Sequence, residues 1–259
     1  MTTHTALDLE AIAHAVATDA AALVRDVVGH GTVVRTKSSA TDVVTTTDLR
    51  SEQLIRRALE QRVPNSAVIG EEYPASEGSS DVSWIVDPID GTVNFLYDLP
   101  VVAVSVAAQV GDTVVAGAVA DVLRGEVFSA ALHGGARRDG VTITASDVDQ
   151  LDHALVATGY SYASSTRAQQ AHTLAELLPQ VRDIRSMGSA ALQLCWVGCG
   201  RIDGYYERDL KPWDYAAGAL IAAESGATVT TPQAAGADLT TAATPGVHDE
   251  LMRIVGSAG

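Results

Sequence analysis

Two carboxylates stand three residues apart within residues 84–92, at a turn that glycine closes. An apolar run ends at Asp87, a proline follows, and Asp90 directly precedes Gly91 and Thr92. Acidic side chains this close suit a hard cation better than a hydrophobic core, because carboxylate oxygens are preferred ligands of Mg²⁺ and Ca²⁺. Glycine lets the backbone approach a ligand, and threonine adds a hydroxyl. The spacing predicts half of a divalent-metal site.

Two further acidic residues supply candidates for the other half. Glu71 follows an apolar run over residues 67–70, and Asp214 lies in the first turn of a helix predicted over residues 212–225. Strand ends and helix starts are where ligand sites collect in layered folds. Four converging carboxylates would repel one another, and divalent cations are their natural counterions. Oxygen ligands without paired histidines favour Mg²⁺ or Mn²⁺ over zinc.

Each acidic residue taken alone has a simpler interpretation. Asp87 before a proline is typical of a turn, Asp214 in a first helical turn favours the helix dipole, and Glu71 is typical of a solvated surface. The sequence behind Asp214 favours the metal site, because residues 215–223 are apolar on every face and predict a buried helix. Such a helix directs its first carboxylate into the interior or a cleft.

The composition excludes several classes of protein. With 259 residues, 47% hydrophobic and 19% charged, the chain is expected to be globular. Its net charge of -15 argues against a nucleic-acid partner, since phosphate neutralisation needs Lys and Arg. Neither a membrane span nor a secretory signal is expected, and the default location is the cytoplasm. The two cysteines, Cys195 and Cys199, are expected to be buried free thiols.

The elements that must position these residues follow two patterns. Residues 7–28 and 47–62 predict helices joined by an extended segment over residues 32–37, and Asp48 is a candidate cap of the second helix. A long antiparallel meander follows, with strands predicted over residues 67–70, 83–86, 101–110, 114–122 and 125–130.

From about residue 150 strands and helices alternate. The predicted strands are 154–158, 183–186 and 202–206, and the predicted helices are 167–178, 189–197 and 212–225, with a surface loop over residues 233–245. We therefore expect residues 1–150 to form an α+β half with the first three acidic positions and residues 151–259 to form an α/β half with Asp214.

The order of these motifs resembles the inositol monophosphatase family. The similarity covers residues 37–48, the Gly-Glu-Glu segment 70–72, the segment DPIDGTVNF at 87–95, and residues 188–192, 204–207 and 213–218. Members are magnesium-dependent, lithium-sensitive sugar-phosphate phosphatases. The resemblance implies a layered αβαβα sandwich, a hydrolase acting on a small phosphorylated polyol, and a homodimer.

The resemblance also implies a ligand set of two to three Mg²⁺ ions, with Mn²⁺ as a substitute. Glu71, Asp87 and the carbonyl of Ile89 would hold the first ion. Asp87, Asp90 and Asp214 would hold the second, and a weaker third ion would lie near Glu71. Asp87 would then bridge two ions, as in two-metal phosphoryl transfer.

The remaining roles divide between the water and the substrate. Glu71 and Thr92 would activate the attacking water, and Asp48 would fix the Thr92 hydroxyl by a hydrogen bond. Backbone N–H groups of Gly91 and Thr92 would cradle the phosphate. The residues expected at the substrate are Asp90, Gly91, Thr92, Asp214 and, for the alcohol, Glu207, Gly188, Ser189 and Ala190. Lys37 is expected near the metal loop, and Ser161 is a weaker substrate candidate.

The identity of the alcohol stays open at this point. Inositol monophosphate is favoured, and fructose 1,6-bisphosphate, histidinol phosphate and a nucleotide 3′-phosphate are alternatives within the same chemistry. A different class is a binding partner of transcription factors, because some bacterial proteins that resemble this chain act in that way.

Overall fold

Two long helices and a seven-stranded sheet make up the first half of the chain. The computed structural model describes residues 4–28, 30, 32–37, 43–232 and 238–257. The elements in chain order are α1 Ala6–Arg25, β1 Val33–Thr36, β2 Val43–Thr45, α2 Thr46–Arg62, β3 Ala67–Gly70, β4 Val82–Asp90, α3 Thr92–Leu96, β5 Ala103–Val110, β6 Thr113–Asp121, β7 Val127–Ala131, β8 Ala136–Arg138 and β9 Val141–Thr142. Strands β3 to β9 lie side by side in sequence order.

A smaller sheet and four helices form the second half. Its elements are β10 Leu155–Thr158, α4 Ser164–Leu177, β11 Asp183–Arg185, α5 Ala190–Gly198, β12 Gly204–Arg208, α6 Pro212–Glu224, β13 Thr228–Thr230, β14 Leu239–Ala243 and α7 Pro245–Ser257. The five strands take the order β11-β10-β12-β14-β13. Strand β10 is parallel to both of its neighbours, and β14 is antiparallel to both of its own.

The helices sort into three layers around the two sheets. Helices α1 and α2 cover one face of the larger sheet, where Ile55 of α2 joins a core with Trp84 and Val86 of β4. Helices α5 and α6 lie between the sheets, so that Val119 of β6 and Tyr205 of β12 share a second core. Helices α4 and α7 cover the far face of the smaller sheet. This is the predicted α+β sandwich with αβαβα layers.

The layering explains the buried apolar helix that the sequence predicts behind Asp214. Residues Tyr215 to Ala222 of α6 are all buried, since the helix faces a sheet on either side. Cys195 of the neighbouring α5 is buried, Cys199 is partly buried, and both are free thiols, close to the expectation. Among the described helices none is long and apolar enough to cross a bilayer.

Three local predictions about the first half are wrong. Strand β3 runs parallel to β4, so the meander begins only at β4. Strand β4 does not stop at Asp87 but continues through Pro88 to Asp90, with an irregularity in its pairing to β5 that accommodates the proline. The cap of α2 is Thr45 rather than Asp48. Asp48 instead occupies the third helical position and accepts the Thr45 backbone N–H, which completes a capping box.

The second half differs most near its end. The predicted loop over residues 233–245 is wrong at Leu239–Ala243, which form the fully buried strand β14 between β12 and β13. Its threonines are β-branched and favour a strand, although the composition is typical of a loop. Residues 233–237 lie outside the described residues. Helix α7 was not predicted from the sequence.

Candidate active site

The four acidic residues collect at one edge of the larger sheet. Strands β3 and β4 are parallel neighbours with Gly70 level with Val86, so Glu71, the first residue after β3, lies beside Asp87 within β4. Asp87 is buried, and its carboxyl group shares a hydrogen bond with that of Glu71. Burial raises the pKa of Asp87 well above its ordinary value, and the charges of Glu71, Asp90 and Asp214 raise it further. The four predicted carboxylates therefore lie within electrostatic reach of one another.

Local hydrogen bonds fix the acidic turn at the end of β4. Asp87 Oδ1 accepts the N–H of Ile89 at 3.0 Å, which holds the turn around Pro88. Asp90 accepts three bonds from the start of α5: the Ser189 hydroxyl at 2.6 Å, Ala191 N–H at 2.8 Å and Ala190 N–H at 3.3 Å. Burial raises the pKa of Asp90 to about 6, although these three donors oppose the shift.

Glu71 lies in the loop after β3 beside a cationic side chain. Lys37 Nζ donates to Glu71 Oε1 and to Glu72 Oε1, both at 2.6 Å. Burial raises the pKa of Glu71 to about 7, and the Lys37 ammonium limits the increase. Arg35 Nη2 also contacts Glu72 at 3.0 Å. The structure thus places Lys37 directly against the acidic cluster.

Asp214 enters the cluster from the opposite side of the cleft. It is the third residue of α6, and its Oδ2 accepts the Lys211 N–H at 2.6 Å, a bond that anchors the helix start. Burial raises the pKa of Asp214 well above its ordinary value, with further increases from Glu71 and Asp90. The buried helix α6 therefore presents this carboxylate to the others, as the sequence predicts.

The hydroxyl of Thr92 has the partner that the sequence predicts. Thr92 Oγ1 lies 3.1 Å from Asp48 Oδ1 and 3.1 Å from the carbonyl oxygen of Ile89, and it can donate to either. Asp48 also accepts the hydroxyl and the N–H of Thr45. Burial raises the pKa of Asp48. A fully buried carboxylate thus orients one hydroxyl at the rim of the acidic cluster.

Glu207 forms a second polar group close to the cluster. It lies on β12, where its Oε2 accepts the hydroxyl of the buried Tyr205 at 2.7 Å. Burial raises the pKa of Glu207 to about 7, Tyr205 opposes the shift, and the charge of Asp90 adds to it. A Cβ at Gly159 would overlap the Glu207 carboxylate, so a larger residue there would displace that side chain.

Other predicted substrate residues are engaged with the protein. The Ser189 hydroxyl is bonded to Asp90 and also accepts the Leu192 N–H at 3.3 Å. Gly188 is exposed at the turn before α5. The Ser161 hydroxyl accepts the Ala163 N–H at 3.1 Å, so it stabilises the turn before α4.

The donor set fits a hard divalent cation. In the part of the chain that the structure describes, no three acidic, histidine or cysteine side chains are arranged as a finished metal cage. The carboxylates, of which Asp87 and Asp90 are buried and Glu71 and Asp214 partly buried, instead lie together and raise the pKa of Asp87 and Asp214, with Lys37 as the cation in contact with Glu71. Buried carboxylates of this kind are compensated by a cation, and an oxygen donor set suits Mg²⁺ or Mn²⁺.

Several residues that build the site were missed in the sequence. Ser51 and Glu52 lie on the same face of α2 as Asp48. Ser51 donates to the Pro88 carbonyl, and Glu52 accepts the N–H of Glu72. Asn94 and Gln193 hold the turn before Ser189. Spacing of three and four residues from Asp48 was the available signal for the first pair. The second pair carried none, because its partners are backbone groups, which every residue has.

Comparison with known proteins finds relatives that match most or all of the chain. A sequence model of the inositol monophosphatase family matches residues 7–253. The chain is 48% identical to an inositol-1-monophosphatase of Mycobacterium leprae over 270 aligned residues, 94% of this chain and 92% of that relative. The solved structure of Mycobacterium tuberculosis SuhB has a TM-score of 0.86 and 42% identity, covering 99% of each chain. The Escherichia coli protein named Nus factor SuhB is 36% identical over 199 residues, 76% of this chain and 74% of that protein.

Proposed function

The chain belongs to the inositol monophosphatase family, and from this premise we propose that it hydrolyses inositol monophosphate in a Mg²⁺-dependent reaction. It is a phosphoric monoester hydrolase, like the relatives that carry the inositol-1-monophosphatase name. One observation supports the metal dependence above all: the buried Asp87 and Asp90 and the partly buried Glu71 and Asp214 lie together, where the charges of the other three raise the pKa of Asp87. An anionic substrate would be repelled there unless cations were bound.

Five residues would hold the ions. We assign Glu71, Asp87 and the Ile89 carbonyl to one ion, Asp87, Asp90 and Asp214 to a second, and the neighbourhood of Glu71 to a weaker third. When bound, the ions would neutralise the charge of the phosphate and lower the pKa of water. Mn²⁺ has the same oxygen preference and is the expected substitute.

Protein groups would orient the attacking water. Thr92 donates its single hydroxyl proton to Asp48 or to the Ile89 carbonyl, so the lone pairs of its oxygen remain to accept a water proton. Glu71, whose carboxyl group contacts that of Asp87, is assigned to take a proton from the same water. Asp48 acts through Thr92 by fixing its hydroxyl. The backbone N–H groups of Gly91 and Thr92 are assigned to the phosphate oxygens.

The polyol would be recognised beside the phosphate. Glu207 lies on β12 with one carboxylate oxygen bonded to Tyr205, which leaves the other as an acceptor for a sugar hydroxyl. The turn of Gly188, Ser189 and Ala190 is assigned to the same alcohol. Fructose 1,6-bisphosphate, histidinol phosphate and nucleotide 3′-phosphates remain alternatives within the same chemistry.

Phosphate release from a panel of these esters tests the proposal. With Mg²⁺ present, inositol 1-phosphate should give the highest kcat/KM, and Li⁺ should inhibit its hydrolysis. Asp90→Asn should abolish turnover, because it removes a charge from the second ion's ligand set. A matched control is Asp98→Asn in the exposed loop after α3, which should retain activity. A higher kcat/KM for another ester would replace inositol monophosphate as the substrate.

A second candidate function rests on the Escherichia coli relative named Nus factor SuhB. A role as a binding partner in transcription would depend on the surface of the protein rather than on its acidic cleft. Asp90→Asn separates the two functions, since it should remove hydrolysis and leave such binding intact.

A homodimer and a cytoplasmic location are further proposals. The family resemblance supports the homodimer, and light scattering of the purified protein tests it.

A further inference from the structure

Two buried side chains hold the turn that precedes helix α5. Asn94 Nδ2 donates to the carbonyl oxygen of Met187 at 2.7 Å, and Gln193 Oε1 accepts the Met187 N–H at 3.2 Å. Asn94 belongs to α3, only four residues after Asp90, whereas Gln193 belongs to α5. Both backbone polar groups of Met187 are therefore fixed by side chains from two different halves of the chain.

Asn94 also fixes a third segment. Its Nδ2 donates a second bond to the Val101 carbonyl at 2.8 Å, so both N–H groups of the amide are used. The side chain is 9% exposed, and water cannot easily replace it as the donor. Because both partners are carbonyl oxygens, a carboxylate of the same shape would repel them. The amide is required for this bridge.

The turn at Met187 and Gly188 contacts the turn at Gly91 and Thr92, which is assigned to the phosphate. Gly188 and Gly91 both have positive φ angles, +78° and +98°. A Cβ on Gly91 would stand 3.1 Å from the Gly188 carbonyl oxygen, and a Cβ on Gly188 would stand 2.9 Å from Asn94 Nδ2. The two turns are thus in direct contact, at a separation that only glycine permits. A small displacement of Met187 would alter this contact.

The same turn leads directly into contacts with Asp90. Ser189 and the N–H groups of Ala190 and Ala191, which follow Met187, donate to the Asp90 carboxylate. These bonds fix the near side of α5, and Asn94 and Gln193 fix the turn before it. Asn94 therefore links two groups of residues: those assigned to metal and phosphate, and those assigned to the alcohol.

We propose that Asn94 and Gln193 are positioning residues that set the alcohol-binding turn at a fixed distance from the phosphate-binding turn. This inference rests on the proposed function. Neither side chain needs to touch the substrate. By holding Met187 they place Gly188 and Ser189, so they determine how well a polyol fits while the phosphate is bound. Their contribution is to selectivity for the leaving alcohol rather than to the chemical step.

Steady-state kinetics of Asn94→Ala and Gln193→Met test the proposal with two esters. Inositol 1-phosphate needs the alcohol-binding turn, whereas p-nitrophenyl phosphate has no hydroxyls for it to recognise. We expect kcat/KM for inositol 1-phosphate to fall about tenfold relative to that for the aryl ester, mainly through KM. A suitable control is Gln109→Ala, which removes a surface amide that donates to the Gly111 carbonyl and should leave the ratio unchanged.

Gln193→Met keeps the test valid if Asn94→Ala does not fold. Among the described residues the buried Gln193 Nε2 has no acceptor, so methionine removes an unpaired donor while it releases the Met187 N–H. Amide hydrogen exchange supplies a second readout, independent of activity: residues 187–191 should exchange faster in both variants.

Equal losses on the two esters, or unchanged exchange at the turn, would overturn the positioning role. A wild-type protein that hydrolyses the aryl ester but no polyol phosphate would overturn the assignment of the alcohol site, and with it the selectivity role. A wild-type protein inactive on both esters would instead contradict the proposed function itself.

Discussion

Glu207 illustrates how burial sets the chemistry of single residues in this cleft. Its carboxylate bonds the Tyr205 hydroxyl, yet burial still raises its pKa to about 7 from an ordinary 4.5. Burial is also the largest cause of the raised pKa of Asp90, despite three donors. Ionised carboxylates are therefore unfavourable at this site. They favour the binding of a cation, and they lower the stability of the protein when no cation is bound.

The pH dependence of stability should change in Glu207→Gln. A carboxyl group whose pKa is raised by folding contributes stability that is fully present below about pH 4.5 and is lost as the pH rises through about 7. Glutamine keeps an acceptor for Tyr205 without a charge. At pH 8 the variant should exceed the wild type by roughly 1–3 kcal/mol in free energy of unfolding, and near pH 4.5 by much less.

Urea unfolding at the two pH values measures this difference. Glu77→Gln, at an exposed position, is the matched control and should show no such pH dependence. If Glu207→Gln raised the free energy of unfolding equally at both pH values, the charged form of Glu207 would not be destabilised by folding, and the prediction would fail.

At the residue scale the sequence predicts which groups act but not what holds them. Asp87, Asp90 and Asp214 are identifiable because each stands in a recognisable motif next to an element boundary. The pairing of Lys37 with Glu71 depends on the path of the chain between them, and the Tyr205–Glu207 bond depends on strand alternation in β12. The first contact leaves no spacing signal, whereas the second has the two-residue spacing of one strand face but extends beyond the predicted strand, which ends at residue 206.

At the scale of elements, one face of α2 holds both acidic turns. Ser51 Oγ donates to the Pro88 carbonyl at 3.0 Å, beside the Ile89 carbonyl that we assign to a metal ion. Glu52 Oε2 accepts the Glu72 N–H at 2.8 Å and is itself fixed by Arg56. Residues three and four positions apart share a helix face, so a single helix sets the separation of the two turns.

Ser51→Ala tests this role of the helix. The change leaves the buried Pro88 carbonyl without its donor, which should cost about 1–2 kcal/mol of stability. Because the acidic turn is then less firmly held, the Mg²⁺ concentration for half-maximal activity should rise several-fold, with KM for inositol 1-phosphate at saturating Mg²⁺ nearly unchanged. Arg57→Ala, exposed on the same helix, is the control. A normal Mg²⁺ requirement in Ser51→Ala would contradict the argument.

Element types were easier to predict than element ends. Helices α1, α2 and α6 have the composition and periodicity of packed helices, and their positions were predicted within a few residues. The exception is β14: the Ala-, Gly- and Thr-rich composition around it predicts a loop, whereas its β-branched threonines and its burial between β12 and β13 favour a strand. Asp48 was taken for a cap because the sequence does not show which of several threonines begins the helix.

At the scale of the whole molecule, two sheets share a core and an active site. Each sheet is built from one half of the chain, and α5 and α6 of the second half pack between them. The acidic cluster takes Glu71, Asp87 and Asp90 from the first half and Asp214 from the second. The layered order was predictable from the family resemblance, whereas the contact between the halves at Asn94 was not.

The net charge makes a bound cation central to the account. With 17 basic and 32 acidic residues the protein repels an anionic phosphate ester at long range. Four of these 32 acidic residues, Glu71, Asp87, Asp90 and Asp214, lie together at the proposed reacting position. A substrate phosphate can bind there only when positive charge is supplied locally, so activity should depend steeply on a divalent cation.

The most direct test is the rate of phosphate release from inositol 1-phosphate as a function of Mg²⁺ concentration, measured for the wild type and for Asp87→Asn. We predict no turnover of the wild type in a chelator, a rise to saturation with Mg²⁺, and no recovery by any Mg²⁺ concentration in Asp87→Asn, whose bridging carboxylate is lost. Turnover of the wild type without metal, or full activity of Asp87→Asn, would contradict the assignment of this acidic cluster as the metal centre.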